Sequence, residues 1–263
     1  MQESSKISEG KNRFSSKKTL VLSLCVSLFI NILLFGAVYV AEKHSHVFES
    51  ALKRRGIITG EIDDKTSPDY WARVGWTNTI EKLHTDFDIA FFGNSITRGS
   101  DFQLDFTDKK IINLGYSGDN IPGMIKRVPM IQKANAKKVF IMAGTNDLVH
   151  ISLEEYKTRY SKLLSTIQDS IPGIKIYLES VLPSNHEMGD YAPNPKVREA
   201  NRIVQELAKQ YNCTYIDIYH LYANEQDELP KEMTRDGVHL YPEQYAKWAE
   251  AIRTYVYESL LSG

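Results

Sequence analysis

The sequence predicts a three-layer α/β/α domain built on a five-stranded parallel sheet and preceded by an N-terminal transmembrane helix. Three observations carry this reading. From residue 86 onward, short apolar runs alternate regularly with amphipathic segments. One uncharged stretch near the start is far longer than any other. Composition is ordinary for a folded protein, with 42% hydrophobic and 25% charged residues over 263 positions, which excludes wholesale disorder.

The uncharged stretch runs from Thr19 to Ala41. As a helix it would reach roughly 34 Å, enough for a hydrocarbon core of about 30 Å. A cleaved signal peptide is the alternative, but its apolar region is usually shorter and ends in small residues, whereas Tyr39 stands two positions before Ala41. Lys11, Arg13, Lys17 and Lys18 precede the stretch and Lys43 alone closely follows it. The positive-inside rule then leaves residues 1–18 in the cytoplasm and exports the rest. Residues 42–85 read as a polar stalk and a lead-in helix starting at Ser67-Pro68-Asp69, from which Trp71, Val74 and Leu83 could face a core.

Residues 86–263 form the predicted catalytic domain. Buried strands are expected at Ile89–Phe92, Lys110–Asn113, Lys138–Met142, Ile174–Val181 and Thr214–Ile218. Helices are expected at about 121–134, 152–170, 195–211 and 242–261. Ser152-Leu153-Glu154-Glu155 has capping-box spacing, and Tyr245, Trp248, Ala249, Ile252 and Val256 share one face of the last helix. Strand–helix alternation of this kind builds a parallel sheet covered on both sides, with its functional site beyond the carboxyl ends of the strands.

Four loops at that end carry chemistry. Gly93-Asn94-Ser95-Ile96 follows the first strand, Ser117-Gly118-Asp119-Asn120 the second and Gly144-Thr145-Asn146-Asp147 the third, while Asp236-Gly237-Val238-His239 precedes the last helix. Acyl transfer calls for this set. A serine is a weak nucleophile until an imidazole takes its proton, the imidazole needs a carboxylate to fix its tautomer, and the tetrahedral intermediate needs donors aimed at its new charge. Ser95, His239 and Asp236 supply the first three groups. The N–H groups of Ser95 and Gly118 and the amide of Asn146 are the candidate oxyanion donors. Among seven histidines, His220 is set aside as lacking a carboxylate at useful spacing.

These four blocks resemble the SGNH (GDSL) hydrolase superfamily over roughly residues 86–258. The wording of the second and third blocks is similar to platelet-activating-factor acetylhydrolase-like and carbohydrate acetylesterase members. The resemblance implies a flavodoxin-like SGNH-hydrolase fold with Ser95 as nucleophile, His239 as base, Asp236 as its orienter, and Ser95, Gly118 and Asn146 as oxyanion hole. It also implies a serine esterase that needs no cofactor. Asn94 stands where the family most often has Asp.

Outside these blocks, the insertion Ser184–Pro195 is long for a strand–helix connection. Asn185, His186 and Tyr191 within it, and His150 near Asn146, are the candidate substrate contacts. The expected substrate is a small acyl ester, acetyl above all, on an O-acetylated carbohydrate. A longer acyl pocket (lysophospholipase or thioesterase) and a non-catalytic binding module on the same fold are the alternatives, and an acceptor other than water stays open. No metal-ligand spacing or phosphate-binding loop occurs in the sequence. A formal net charge of −1 excludes the cationic surface of a nucleic-acid binder. Cys25 falls inside the expected membrane span and Cys213 in the catalytic domain, so no disulfide between them is expected, and Cys213 is expected to be a small core residue.

Overall fold

The computed structural model describes residues 24–34, 36–37, 39, 75, 78–79, 81–82 and 85–259. The chain divides into two units, residues 1–66 and 67–263. In the first, the described residues are helical, and Leu24, Phe29, Ile32 and Leu33 are exposed. Among the described residues no helix is long and apolar enough to cross a membrane. The expected span of 19–41 is thus described only in part, with 19–23, 35, 38, 40 and 41 outside the described residues. The tail 1–18 and residues 42–66 lie outside them too, as do Ser67, Trp71, Val74 and Leu83. Cys25 and Cys213 are both free thiols; Cys213 is half-buried against the core.

The second unit contains five parallel strands: β1 (Ile89–Gly93), β2 (Ile111–Gly115), β3 (Lys138–Met142), β4 (Lys175–Glu179) and β5 (Thr214–Ile216). Their order is β2-β1-β3-β4-β5. This is the flavodoxin-like arrangement, in which chain direction across the sheet reverses between β1 and β3 and opens a crevice there. The register holds Gly93 beside both Gly115 and Met142, so the loops leaving β1, β2 and β3 start level with one another.

Among the described residues from 85 onward, the α-helices are α1 (Ser95–Arg98), α2 (Phe102–Asp105), α3 (Ile121–Lys133), α4 (Leu153–Ser170), α5 (Asn194–Gln210) and α6 (Tyr245–Tyr257). Side chains alternate across each strand, and the strands are apolar on both faces because both are covered. Ala90, Phe92, Val139 and Ile141 pack under α3, α4 and α5. Ile89, Phe91, Phe140 and Met142 pack with α2 and with Tyr245, Trp248, Ala249, Ile252 and Val256 of α6. That last set is the stripe its spacing predicts, and Ser152 caps α4 by accepting from the Glu155 N–H. The two short helices after β1 are an addition to the expected elements. Four residues are too few for a periodic signal, and α1 is held instead by the Asn94 side chain accepting from Ile96 N–H at 2.9 Å. The final segment also differs: Pro242–Gln244 is a 3₁₀ turn before α6 begins.

Candidate active site

Three of the four loops leave the carboxyl ends of the adjacent strands β2, β1 and β3, and the fourth comes from before α6 to meet Ser95. Asn94 caps α1 and is almost fully buried. An aspartate could accept the same hydrogen bond, but it would bury a charge where asparagine does not. The cap turns Ser95 outward from the end of β1, half-exposed. There its Oγ lies 2.8 Å from His239 Nε2.

The other face of the imidazole is fixed by Asp236. Oδ2 lies 2.7 Å from His239 Nδ1, and Oδ1 accepts from the His239 N–H at 2.9 Å. An ionised carboxylate only accepts, so Nδ1 carries the proton and Nε2 is left to accept from the serine hydroxyl. Partial burial works to raise the Asp236 pKa. The hydrogen bonds from the His239 backbone and ring outweigh it and hold the carboxyl below its ordinary value. The dyad therefore has the charge and tautomer that general-base chemistry requires.

The Asp236 loop is braced from several sides. Thr234 Oγ1 donates to His239 O and accepts from Gly237 N–H. Asn185 N–H donates to Gly237 O at 2.8 Å, and the Tyr191 hydroxyl to Asp236 O at 2.5 Å. Gly237 has φ +96°, and a Cβ there would lie 2.8 Å from the Tyr191 ring. Only glycine fits that turn against that ring.

The oxyanion candidates sit in the loops that follow β1, β2 and β3. Gly118, at φ +74°, sits in the loop after β2. Asn146, in the loop after β3, donates one amide hydrogen to Asp119 O at 2.7 Å. This fixes the amide plane and leaves its second hydrogen for a ligand. Asp147 joins the same two loops, since both of its carboxylate oxygens face the Ile121 N–H at the start of α3. Burial drives its pKa up to about 7 against the lowering effect of that N–H and of Arg159.

The remaining sequence candidates are placed differently from one another. Asn185 is buried, its amide donating to Leu229 O. His186 is exposed, with Nδ1 2.9 Å from Glu228 and Nε2 3.2 Å from Ala192 O. Both thus engage partners inside the protein that tie the 184–193 segment to residues 224–237. His150 is exposed in the turn after Asn146. His220 requires a correction: Asp217 stands three residues before it, as Asp236 does before His239, and their side chains pair at 2.6 Å. That pair lies after edge strand β5, three strand spacings from β1, or about 14 Å. Spacing alone did not separate the two dyads; sheet order does. Arg127 and Glu179 carried no sequence signal, because one is a helical arginine and the other a strand residue.

Among the described residues, no cluster of three His, Cys, Asp or Glu side chains could hold a metal ion. The arrangement can activate a hydroxyl nucleophile and receive an oxyanion, which is the chemistry of acyl transfer.

Comparison with known proteins agrees with that chemistry. The model of the GDSL-like lipase/acylhydrolase family matches residues 91–247. A Streptococcus pneumonia protein provisionally named as a platelet activating factor superposes with a TM-score of 0.64 at 23% identity, covering 72% of this chain and 92% of that one. A GDSL-like lipase of Bacteroides thetaiotaomicron gives 0.60 at 23% identity, covering 70% and 96%. An acetyl-xylooligosaccharide esterase of Geobacillus stearmophilus, present as a mutant, gives 0.53 at 18%, covering 68% and 98%. At these identities the likeness is one of fold. No curated protein sequence matches the chain.

Proposed function

The chain belongs to the GDSL-like lipase/acylhydrolase family and is a carboxylic ester hydrolase; within that class we propose a serine esterase that removes small acyl groups, acetyl above all, from carbohydrates through an acyl-Ser95 intermediate. The observation that carries the proposal is the unbroken chain of contacts from Asp236 through His239 to Ser95, at 2.7 and 2.8 Å.

In the first step Ser95 Oγ bonds to the ester carbonyl carbon while its proton passes to His239 Nε2. The carbonyl electrons move onto oxygen, where the N–H groups of Ser95 and Gly118 and the Asn146 amide receive the charge. Collapse breaks the bond to the alcohol oxygen, and His239 returns the proton to it. Water then attacks the acyl-serine with His239 again as base, releasing the acid and restoring Ser95. Asp236 stays ionised throughout and stabilises the imidazolium.

The choice of acetyl and sugar is supported by fold neighbours named as acetyl xylan and acetyl-xylooligosaccharide esterases. His150, exposed beside the Asn146 loop, is the candidate for direct substrate contact, while Asn185 and His186 act through the 184–193 segment. We also assign Thr19–Ala41 as a single membrane anchor, with 1–18 cytoplasmic, 42–85 a stalk and lead-in, and 86–263 the catalytic domain outside the cytoplasm. Supporting the anchor are the absence of charge from that stretch and the exposed apolar side chains of its described helical part. Cleavage and release into the medium is the other outcome, separated by whether the full chain sediments with membranes.

Turnover of p-nitrophenyl esters tests the function. Acetyl ester should be hydrolysed by the wild-type protein and fall to background in Ser95→Ala. Across a series from acetyl to dodecanoyl, kcat/KM should fall steeply with chain length. A rise with length would replace the acetylesterase by a lysophospholipase or thioesterase, and equal turnover by Ser95→Ala would leave only a binding module.

A further inference from the structure

Arg127 is a fully buried guanidinium that the steps above do not use. It projects from α3 beneath the loops that carry the nucleophile and the oxyanion donors, and it is 2% exposed. Nε donates to Asp119 Oδ2 at 3.0 Å, and Nη2 also bonds that oxygen. Nη1 donates to Leu114 O at 2.9 Å, and Nη2 to Gly93 O at 3.3 Å. Its plane lies against the rings of Phe92, 4.8 Å away, and Tyr116, 5.1 Å away.

The partners of this one group define the site's frame. Gly93 ends β1, two residues before Ser95. Leu114 lies at the end of β2, and Asp119 directly follows Gly118. Asp119 in turn accepts from the Asn146 amide through its backbone carbonyl and from Asn120 N–H through Oδ1. A single rigid, planar fork therefore joins the strand that aims the nucleophile to the loop that carries Gly118 and accepts from the Asn146 amide. A buried ion pair is weak evidence for stability, since apolar residues of similar volume often serve as well. Nor does the pair supply a net field to the oxyanion, because Asp119 neutralises the arginine at contact distance. What the fork fixes is distance and angle.

We propose that Arg127, paired with Asp119, is a positioning residue that sets the oxyanion donors Gly118 and Asn146 against Ser95. The proposal rests on the esterase reading given above.

Arg127→Lys is the primary test, because lysine keeps the charge and loses the planar fork. In a folded protein it should lower kcat about 10- to 100-fold, as expected when oxyanion donors are misplaced by a fraction of an ångström. KM should change less than about threefold. In an Asn146→Ala background the same substitution should cost clearly less than it does alone, because the part of its effect that runs through Asn146 is already lost. Asp119→Asn, which keeps an acceptor and removes the charge, should give the same pattern and serves where the lysine variant does not fold. A kcat within twofold of wild type in either folded variant overturns the proposal. So does a loss that multiplies fully with Asn146→Ala. A wild-type protein with no Ser95-dependent turnover overturns the esterase reading itself and this proposal with it, a result the variants at 127 and 119 cannot mimic.

Discussion

The imidazole Nε2 of His239 lies 2.8 Å from the hydroxyl oxygen of Ser95, although 144 positions separate the two residues in the chain. The sheet order brings them together. β1 delivers Ser95 at the crevice, and α6, packed on one face of the same sheet through Trp248 and Ile252, anchors the segment that carries His239. The consequences of this contact and its supports can be tested one residue at a time.

Asp236 holds Nδ1 of the imidazole protonated. Asp236→Asn should keep the fold but present the wrong tautomer to Ser95, lowering kcat by roughly 10³ to 10⁴. Steady-state kinetics with p-nitrophenyl acetate, with circular dichroism to confirm folding, measures this. A loss below about tenfold would mean that the carboxylate does not orient the ring.

Asn146 presents one amide hydrogen to Asp119 O and keeps the other available. Asn146→Ala should lower kcat on the order of 10² to 10³ with little change in KM, since the missing bond forms fully only with the oxyanion. A rise in KM at constant kcat would instead place Asn146 in ground-state binding.

How much of this was legible before the structure depends on the range of the signal. The five strands and four long helices were, because burial on both faces writes continuous apolar runs and helix burial writes a 3.6-residue period. The contact from Ser95 through His239 to Asp236 was too, since Ser95 sits in a short block at a strand end and the other two share a block just before the last helix. What stayed hidden depends on contacts between distant segments. Arg127 reads as an ordinary charged helix residue until β1, β2 and the Asp119 loop are folded around it. Asn185 and His186 read as candidate substrate contacts, with nothing local to name Leu229, Glu228 and Ala192 as the groups that take up their polar atoms. The Asp217–His220 pair shows the converse: a local spacing that matches the catalytic one yet lands at the far edge of the sheet.

The 184–193 segment therefore acts on the site through the backbone of the Asp236 loop. Tyr191→Phe removes the hydroxyl that donates to Asp236 O and should lower kcat about three- to tenfold, with a stability loss of about 1 kcal/mol. His186→Ala should leave KM for acetylated sugars within twofold. A large KM increase in the latter would return His186 to direct substrate contact.

Glu179, at the end of β4, is fully buried and accepts from the Trp248 indole N–H at 2.6 Å. Burial raises its pKa from the ordinary 4.5 to about 8, and the indole bond only partly opposes this. The folded state thus holds this proton more tightly than the unfolded chain. The stabilisation is complete below about 4.5 and is lost as pH rises through about 8. Glu179→Gln, which carries no charge, should remove this part of the pH dependence and raise Tm relative to wild type at pH 9 by about 4 °C or more. Parallel Tm profiles for the two proteins from pH 5 to 9 would contradict it.

The reactivity of Ser95 is most directly measured by treating the full-length protein with a fluorophosphonate probe and locating the adduct by peptide mass spectrometry. The contact between residues 95 and 239 predicts one stoichiometric adduct on Ser95, and labelling slowed at least about 100-fold in His239→Ala. A folded wild-type protein that takes up no probe at Ser95, or labels equally fast without His239, would contradict the account.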